Sequence, residues 1–397
     1  MSPLPLLRLP FLPLQNIIQN WNIYEICEFA KVSKRTKNIA KVATRKVVNI
    51  TLYSYESFVI DTFFTEKGII VPWNHCPQGW RFELKDISER DNTESEAYNE
   101  NNRTHTFTLT SDNPLLLFLE TLQLLFEVFD CSIHSVYWNS WKTEDMRQVI
   151  DWMNSFEKVS AIEKVQIVLN KDSLIKFSIF LETFQKKLVR FIIFSDRRGE
   201  TLIDEIPVKY SNLLEIERID DHSRAKWVNL SNLLSMNCKT PNLGVSLLSN
   251  QDLNVFLRSW KEGRSNSILE ALRVYVPEPE DWKTVLNGLG AVVRHPTQVT
   301  RRYIEKVWFY GGVDIQRVDG TIGTVMWTHY LGRDKHEKIP KNLLEAFEKT
   351  KQEWVGTDSD VVFEERGNEI QVSDEEKVIE QYIPTQNCFN FSFVVWK

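Results

Sequence analysis

The stretch that most constrains this chain is Leu9 to Val47, where three short apolar-periodic segments follow one another with almost no loop between them. Leu14, Ile17, Ile18 and Trp21 fall at i, i+3, i+4 and i+7, one stripe of a helix. Ile23, Ile26, Cys27 and Ala30 repeat that spacing, and Val32, Thr36, Ile39, Ala40, Ala43 and Val47 form a third stripe, with Ser33 placed to cap it. Pro10 and Pro13 fall at the entry, where helix-start amides lack intrahelical partners anyway. Three short helices cannot bury enough surface to fold well alone, and these stripes are too apolar for a free surface. A partner is therefore expected to cover them.

Leu9-Pro10, Ile17-Ile18, Trp21, the pair Glu25-Ile26 and Val32-Ser33-Lys34-Arg35 stand in an order and spacing that resembles an F-box. Leu12-Pro13 departs from that family, which usually carries an acidic and an aliphatic residue there. The resemblance implies an F-box over residues 1–48 that docks on a Skp1-like adaptor of a cullin-RING ubiquitin ligase. It implies that Leu9, Pro10, Leu14, Ile17, Ile18, Trp21, Ile26 and Val32 bury against the adaptor.

Over 397 residues the formal charge is −6, which argues against nucleic acid as a partner, since binding phosphates needs a basic surface. The local basic run Lys31, Lys34, Arg35, Lys37, Lys41, Arg45 and Lys46 reads as the solvated face of the third helix. Cys27, Cys76, Cys131, Cys238 and Cys388 are scattered, with no CxxC and no metal spacing, so free thiols in a reducing compartment are expected. Leu115 to Phe129 is apolar on nearly every face but broken by Glu120, Gln123 and Glu127, which makes it a buried helix and not a membrane span. A cytoplasmic or nuclear protein with no membrane partner is the expectation.

Beyond the helices, Val47 to Phe64 reads as strand, Asp86 to Arg103 as a polar surface loop and Thr106 to Thr110 as another strand. A weak repeat follows on the template L-x-x-L-x-L, three aliphatics pointing into a core from one short strand. Ile133, Val136 and Trp138 fit it, then Ile162, Val165 and Ile167, then Leu188, Phe191 and Ile193, and later Leu269, Leu272 and Val274. Leu213 and Ile216 fit in part because Arg218 breaks the third position, and a poorly matched strand lies near Val245. Helical segments at 143–156, 172–187, 229–236 and 250–260 separate the strands. Central positions about 25 to 29 residues apart have the period of a leucine-rich repeat. The fold class expected is α/β: a three-helix F-box, then an irregular leucine-rich-repeat-like solenoid over 49–397 ending in hairpins. Any α/β fold alternates strand and helix, and no asparagine ladder is present to narrow the choice.

From Tyr303 the style changes. Strands at 306–310, 313–318 and 321–328 flank Asp319-Gly320, a strong hairpin signal, an acidic stretch follows over 353–380, and 389–396 alternates as a closing strand. Leu248-Ser-Asn-Gln-Asp-Leu-Asn-Val-Phe-Leu-Arg-Ser-Trp260, Ile268-Leu-Glu-Ala-Leu272 and Gly311-Gly-Val-Asp-Ile-Gln-Arg-Val-Asp-Gly-Thr321 resemble the type 2 F-box-associated domain of nematode F-box proteins. F-box first and associated domain second implies a substrate receptor of an SCF (Skp1–cullin–F-box) ligase.

No phosphate loop, dinucleotide fingerprint, HExxH or GxSxG occurs, and His75-Cys76, neighbours whose side chains diverge, make no catalytic pair. No enzymatic activity, cofactor or metal is expected. Residues flanking the inward aliphatics nominate Gln166, Ile192, Glu217, Arg273 and Tyr275 as a row that contacts a target protein. Two other readings are compatible with these residues: a Skp1-binding scaffold that does not drive degradation, and a solenoid with no adaptor.

Overall fold

The structure, a computed structural model, describes residues 6–44, 47–54, 57–65, 79–86, 96–99, 104–138, 141–169, 173–195, 214–222, 227–277, 281–297, 300–304, 307–333, 338–354, 359–365, 372–373 and 388–396. Its contacts fall into two compact units, one of Met1–Val168 with Asp172–Ile192 and one of Leu169–Lys171 with Ile193–Lys397. The boundary expected at residue 48 lies inside the first unit.

In the first unit the three expected helices form: α1 (Phe11–Gln19), α2 (Ile23–Val32) and α3 (Lys34–Ala43). Asn22 caps α2 reciprocally with Glu25, and Ser33 caps α3 with Thr36, so orphan amides at both starts are satisfied. Because Ser33 ends α2 as it begins α3, Val32 closes the second helix and does not open the third stripe.

The strand expected over 47–64 is a hairpin, β1 (Val47–Ser54) against β2 (Phe58–Thr65), with β3 (Gly79–Asp86) antiparallel to β2. Most of the expected loop 86–103 lies outside the described residues, but it contains a short strand, β4 (Glu96–Asn99), antiparallel to β5 (Thr104–Ser111). The next elements are α4 (Pro114–Val128), β6 (Asp130–Tyr137), α5 (Thr143–Ser155), β7 (Ala161–Leu169), α6 (Leu174–Thr183) and β8 (Lys187–Ser195), on which the division between the units falls. Here β1, β6 and β7 run parallel, with a one-residue register shift between β1 and β6 after Ile50, and with Tyr53 opposite Tyr137 and Tyr137 opposite Gln166. Helix α4 is buried as expected: Phe118, Leu122 and Leu125 are fully enclosed.

The second unit opens with β9 (Ile216–His222), α7 (Leu230–Ser235), β10 (Cys238–Val245), α8 (Asn250–Lys261) and β11 (Ala271–Pro277), strand and helix in turn, the three strands parallel. There α9 (Trp282–Leu286), β12 (Val292–Val293) and β13 (Thr300–Ile304) lead into the expected hairpin, β14 (Val307–Gln316) and β15 (Ile322–Gly332), turned at Gly320 with φ +88°. A two-residue pair, β16 (Ile339–Pro340) with β18 (Val372–Ser373), surrounds α10 (Lys341–Trp354) and β17 (Val362–Phe363), and much of the acidic stretch between 353 and 380 lies outside the described residues. The closing strand β19 (Cys388–Trp396) slots between β11 and β15, antiparallel to both.

The inward template positions are where the repeat puts them: Ile133, Val136, Trp138, Ile162, Val165, Ile167, Leu188, Phe191, Ile193, Leu269, Leu272 and Val274 are all buried. In β9 the frame is three residues later than expected. Ile216, Ile219 and Asp221 occupy the inward places, and Asp221 is accepted there because Trp227 Nε1 donates to it at 2.8 Å. Cys238, Pro241 and Leu243 fill the same places in β10. The molecule is thus mixed α/β with extensive sheet. Antiparallel strands flank the parallel ones in both units, so the irregular leucine-rich-repeat-like solenoid expected is not confirmed in either.

Two segments quoted in the sequence for their resemblance prove to be physical anchors. Ser249 and Asp252 cap α8, and Asn254 Nδ2 donates to the carbonyls of Val285 and Asn287, both at 2.9 Å. Leu253, Phe256, Leu257 and Trp260 bury the opposite face, where Trp260 meets Phe393 of β19 edge-on at 4.9 Å. In the second, Gly312 sits at φ +88° in a bulge of β14, and a Cβ there would come within 2.6 Å of Thr324.

Candidate functional sites

Each unit carries a surface that its own fold does not use. On the first unit it is the outside of the three helices. Their inside is fully employed: Leu14, Ile18, Ile23, Ile26, Cys27, Ala30, Ala40 and Ala43 are buried. Tyr24 stacks on Phe107 of β5 at 4.3 Å, the Lys37 ammonium meets Glu127 at 2.7 Å, and the Thr44 hydroxyl donates to the Val128 carbonyl at 3.2 Å. Hence the partner that the stripes demanded is in large part the chain's own α4 and β5.

This divides the residues that sequence reasoning assigned to an adaptor. Leu14, Ile18 and Ile26 are enclosed in the helical core and present no surface, because the stripe periodicity selects residues that face inward. Leu9 is partly and Pro10 fully exposed, Ile17 and Val32 are 36% and 73% exposed, and Trp21 is half-buried with its ring 5.2 Å from Phe29. Residues off the stripe were missed: Phe11 is 45%, Leu12 70% and Val42 58% exposed. Eleven large hydrophobics are exposed among the described residues, and five of them (Phe11, Leu12, Ile17, Val32, Val42) lie on these short helices. Such concentration marks an interaction surface. Phe11, Ile39 and Val42 line a shallow depression of about 520 Å³ rimmed by Lys34, Arg35 and Asn38. The basic run is thereby solvated in part (Lys31, Lys34, Arg35 and Lys41 are exposed) and in part engaged, through Lys37.

The strand faces hold the residues nominated for a target. In the first unit Tyr53, Tyr137 and Gln166 form one lateral row. Lys164 donates to the Tyr137 hydroxyl at 3.1 Å and lies over that ring, and burial together with Arg190 holds its ammonium pKa below the ordinary value. Gln166 is half-buried in this row, whereas Ile192 is 8% exposed and closed off from contact.

In the second unit the lateral row is Asp220, Asn242, Arg273 and Ser392, across β9, β10, β11 and β19. Arg273 is exposed on it and Tyr275, two residues on, is half-buried. Glu217 is displaced from the row by the three-residue shift of frame in β9, and it pairs with Lys239 at 3.5 Å instead. Asp220 occupies its expected place, 1% exposed and gripped by the Arg218 guanidinium at 2.9 Å. The arginine that broke the apolar template is therefore a surface residue of this row, and the break itself was the available signal. Arg218, Arg273 and Arg302 of β13 line one cleft of about 650 Å³ together with Ala271, Val394 and Trp396.

The same sheet face carries, beside the cleft, a buried polar cluster around Asp314, two residues beyond the Gly312 bulge and 4% exposed. Arg301 grips both its oxygens, Arg294 Nε donates to it at 2.8 Å, and Thr324 Oγ1 donates to it at 2.5 Å. Burial pushes the Asp314 carboxyl pKa up, but Arg301, Thr324 and Arg294 outweigh it and leave the pKa below the usual carboxylate value. Trp396 Nε1 donates to Thr324 Oγ1 at 2.6 Å and Arg301 lies over its ring, which fixes one wall of the cleft. Among the described residues no group of three or more His, Cys, Asp or Glu could hold a metal, and no helix is long and apolar enough to cross a membrane.

Residues 6–46 match the F-box domain family, and residues 207–274 match the family described as F-box associated. The second match spans β9 to most of β11, includes the segments 248–260 and 268–272 and stops short of 311–321. The Skn-1 dependent zygotic transcript 15 protein of Caenorhabditis elegans is 27% identical over 228 residues, covering 50% of this chain. This chain spans 64% of that relative's length. No solved structure matches.

Proposed function

Since this chain is a nematode-type F-box protein with an F-box-associated segment, we propose that it is the substrate receptor of an SCF ubiquitin ligase. F-box domains generally bind Skp1 in such complexes, and the matched families are typically non-catalytic adaptor components. The observation that carries the reading is the cluster of exposed apolar side chains on α1, α2 and α3, left over after the helices have covered their inner faces. Leu9, Pro10, Ile17, Trp21 and Val32, joined by Phe11, Leu12 and Val42, are the proposed adaptor contacts. The strand faces then hold a target near the ubiquitin-charged enzyme. The receptor raises the effective concentration of target lysines and makes no bond itself. Such a role belongs in the cytoplasm or nucleus.

Co-purification of the full chain with a Skp1-like adaptor tests this. Removing the helices is a poor control, because Tyr24, Lys37 and Thr44 tie them to the rest of their unit. A Phe11→Asp/Leu12→Asp variant leaves the core intact and is the better one. A stoichiometric complex lost in that variant, with thermal unfolding unchanged, is expected; an adaptor that binds neither protein sinks the reading.

A further inference from the structure

We infer that the cleft on the second unit is a docking groove for an extended acidic segment of a protein partner. The inference deepens the substrate-receptor reading and rests on it for the identity of the partner as a target.

The chain carries a formal charge of −6, yet this cleft collects Arg218, Arg273 and Arg302 against one lining acid, Glu270. Arg273 is exposed and, among the described residues, makes no hydrogen bond or ion pair. Arg218 is exposed too, but its guanidinium is pinned in place by the buried carboxylate of Asp220, at 2.9 and 3.0 Å. Pinning lowers the entropy lost when the outer edge of that guanidinium takes a second carboxylate.

Spacing selects the class of anion. Arg218 stands on β9 and Arg273 on β11, with β10 between them and two residues of offset along the strands, so their backbones are about 12 Å apart at the usual strand spacing and rise. Two carboxylates set apart along one segment span that distance while Arg218 stays on Asp220. An extended peptide, advancing about 3.3 Å per residue with side chains alternating between faces, brings acidic side chains four positions apart, on one face, to the two arginines. Asn242 on β10 lies between them for a backbone contact, and along β11 and β19 the floor adds Ser392 and, for an apolar side chain, Ala271, Val394 and Trp396. A nucleic acid fits less well, because Asp220 and Glu270 lie beside the same arginines and the chain as a whole is acidic.

The test is an array of random octapeptides of graded acidic content, probed with the full labelled chain and with an Arg273→Glu variant. Signal is expected to rise with the number of Asp and Glu residues and to fall about tenfold in the variant, and more steeply as salt is added. An Arg273→Lys variant keeps the charge and is expected to retain most of the signal. Signal independent of acidic content, or equal in wild type and Arg273→Glu, overturns the inference. So does displacement of bound peptide by inorganic phosphate as effectively as by the acidic peptide itself. Co-purification with a Skp1-like adaptor is scored separately: its absence overturns the receptor reading and leaves the groove standing, and its persistence in Arg273→Glu shows that a lost peptide signal concerns the groove alone.

Discussion

The outer face of the three N-terminal helices and the arginine-lined cleft of the second unit are both surfaces without an intramolecular use, but they were left over in opposite ways. On the helices, the fold takes the inner stripe and leaves Phe11, Leu12, Val32 and Val42 in water, where apolar surface is costly until something covers it. In the cleft the fold takes the polar groups, burying Asp220 and Asp314 among arginines, and leaves Arg218 and Arg273 outside. The first surface is suited to a constant partner that buries area regardless of sequence. The second is suited to selection, since a charge in a fixed place rejects as well as attracts.

The sharpest way to break this contrast is to remove the polar scaffold beside the cleft. Asp314→Ala leaves Arg294 and Arg301 without their buried partner and is expected to cost about 3 to 5 kcal/mol, the usual loss when one member of a buried ion pair is deleted. Chemical unfolding followed by tryptophan fluorescence measures it, and adaptor binding through the helices should persist. The pKa of Asp314 is lower folded than unfolded, so its contribution is fully present above the ordinary carboxylate range. It is lost as pH falls through the lowered folded value. Acid unfolding of the second unit should therefore begin below about pH 4 and be much shallower in Asp314→Asn.

Next in size is the helical face. Trp21→Ala removes a half-buried ring held against Phe29 and should weaken adaptor binding by about 2 kcal/mol in a titration. Full affinity in that variant would take Trp21 out of the interface. A smaller effect separates the two surfaces by mechanism. Raising the salt several-fold should barely change adaptor binding and should weaken peptide binding at the cleft by about tenfold; equal sensitivity would erase the distinction.

The smallest effect concerns the thiols. Burial pushes Cys27 and Cys238 up to about 12 and raises Cys131 as well. At neutral pH all three should resist alkylation until the chain unfolds, as peptide-mapped labelling would reveal. Fast labelling of Cys27 in the native protein would mean that the helices open readily from α4.

Much of the architecture was legible in the residues. The helices are bounded where Ser33, Pro10 and the i, i+3, i+4 spacing put them, and Leu188, Phe191 and Ile193 point inward as the template requires. The frame of β9 was misjudged because Leu213 and Ile216 matched the template better than Ile219 and Asp221 did, and an aspartate does not read as a core residue. Its neighbour Trp227, folded back to donate to it, and the Gly244 amide make that position tolerable. For the same reason Glu217 was taken for a surface contact in place of Asp220 and Arg218.

What the sequence by itself determined is the set of local periods, the caps and turns, and the F-box-like order of residues, all of which depend on neighbours a few positions away. Only the tertiary structure decided which apolar residues are used up and which remain. Leu14 and Leu12 are equally hydrophobic, yet one is 3% and the other 70% exposed, because helix α3 packs on one side of α1 and none of the described residues covers the other. In the same way, Arg218, Arg273 and Arg302 share a cleft because hydrogen-bonded strands bring positions far apart in sequence to within a few strand widths. Burial and charge clustering are sums over distant segments, and no local window contains them.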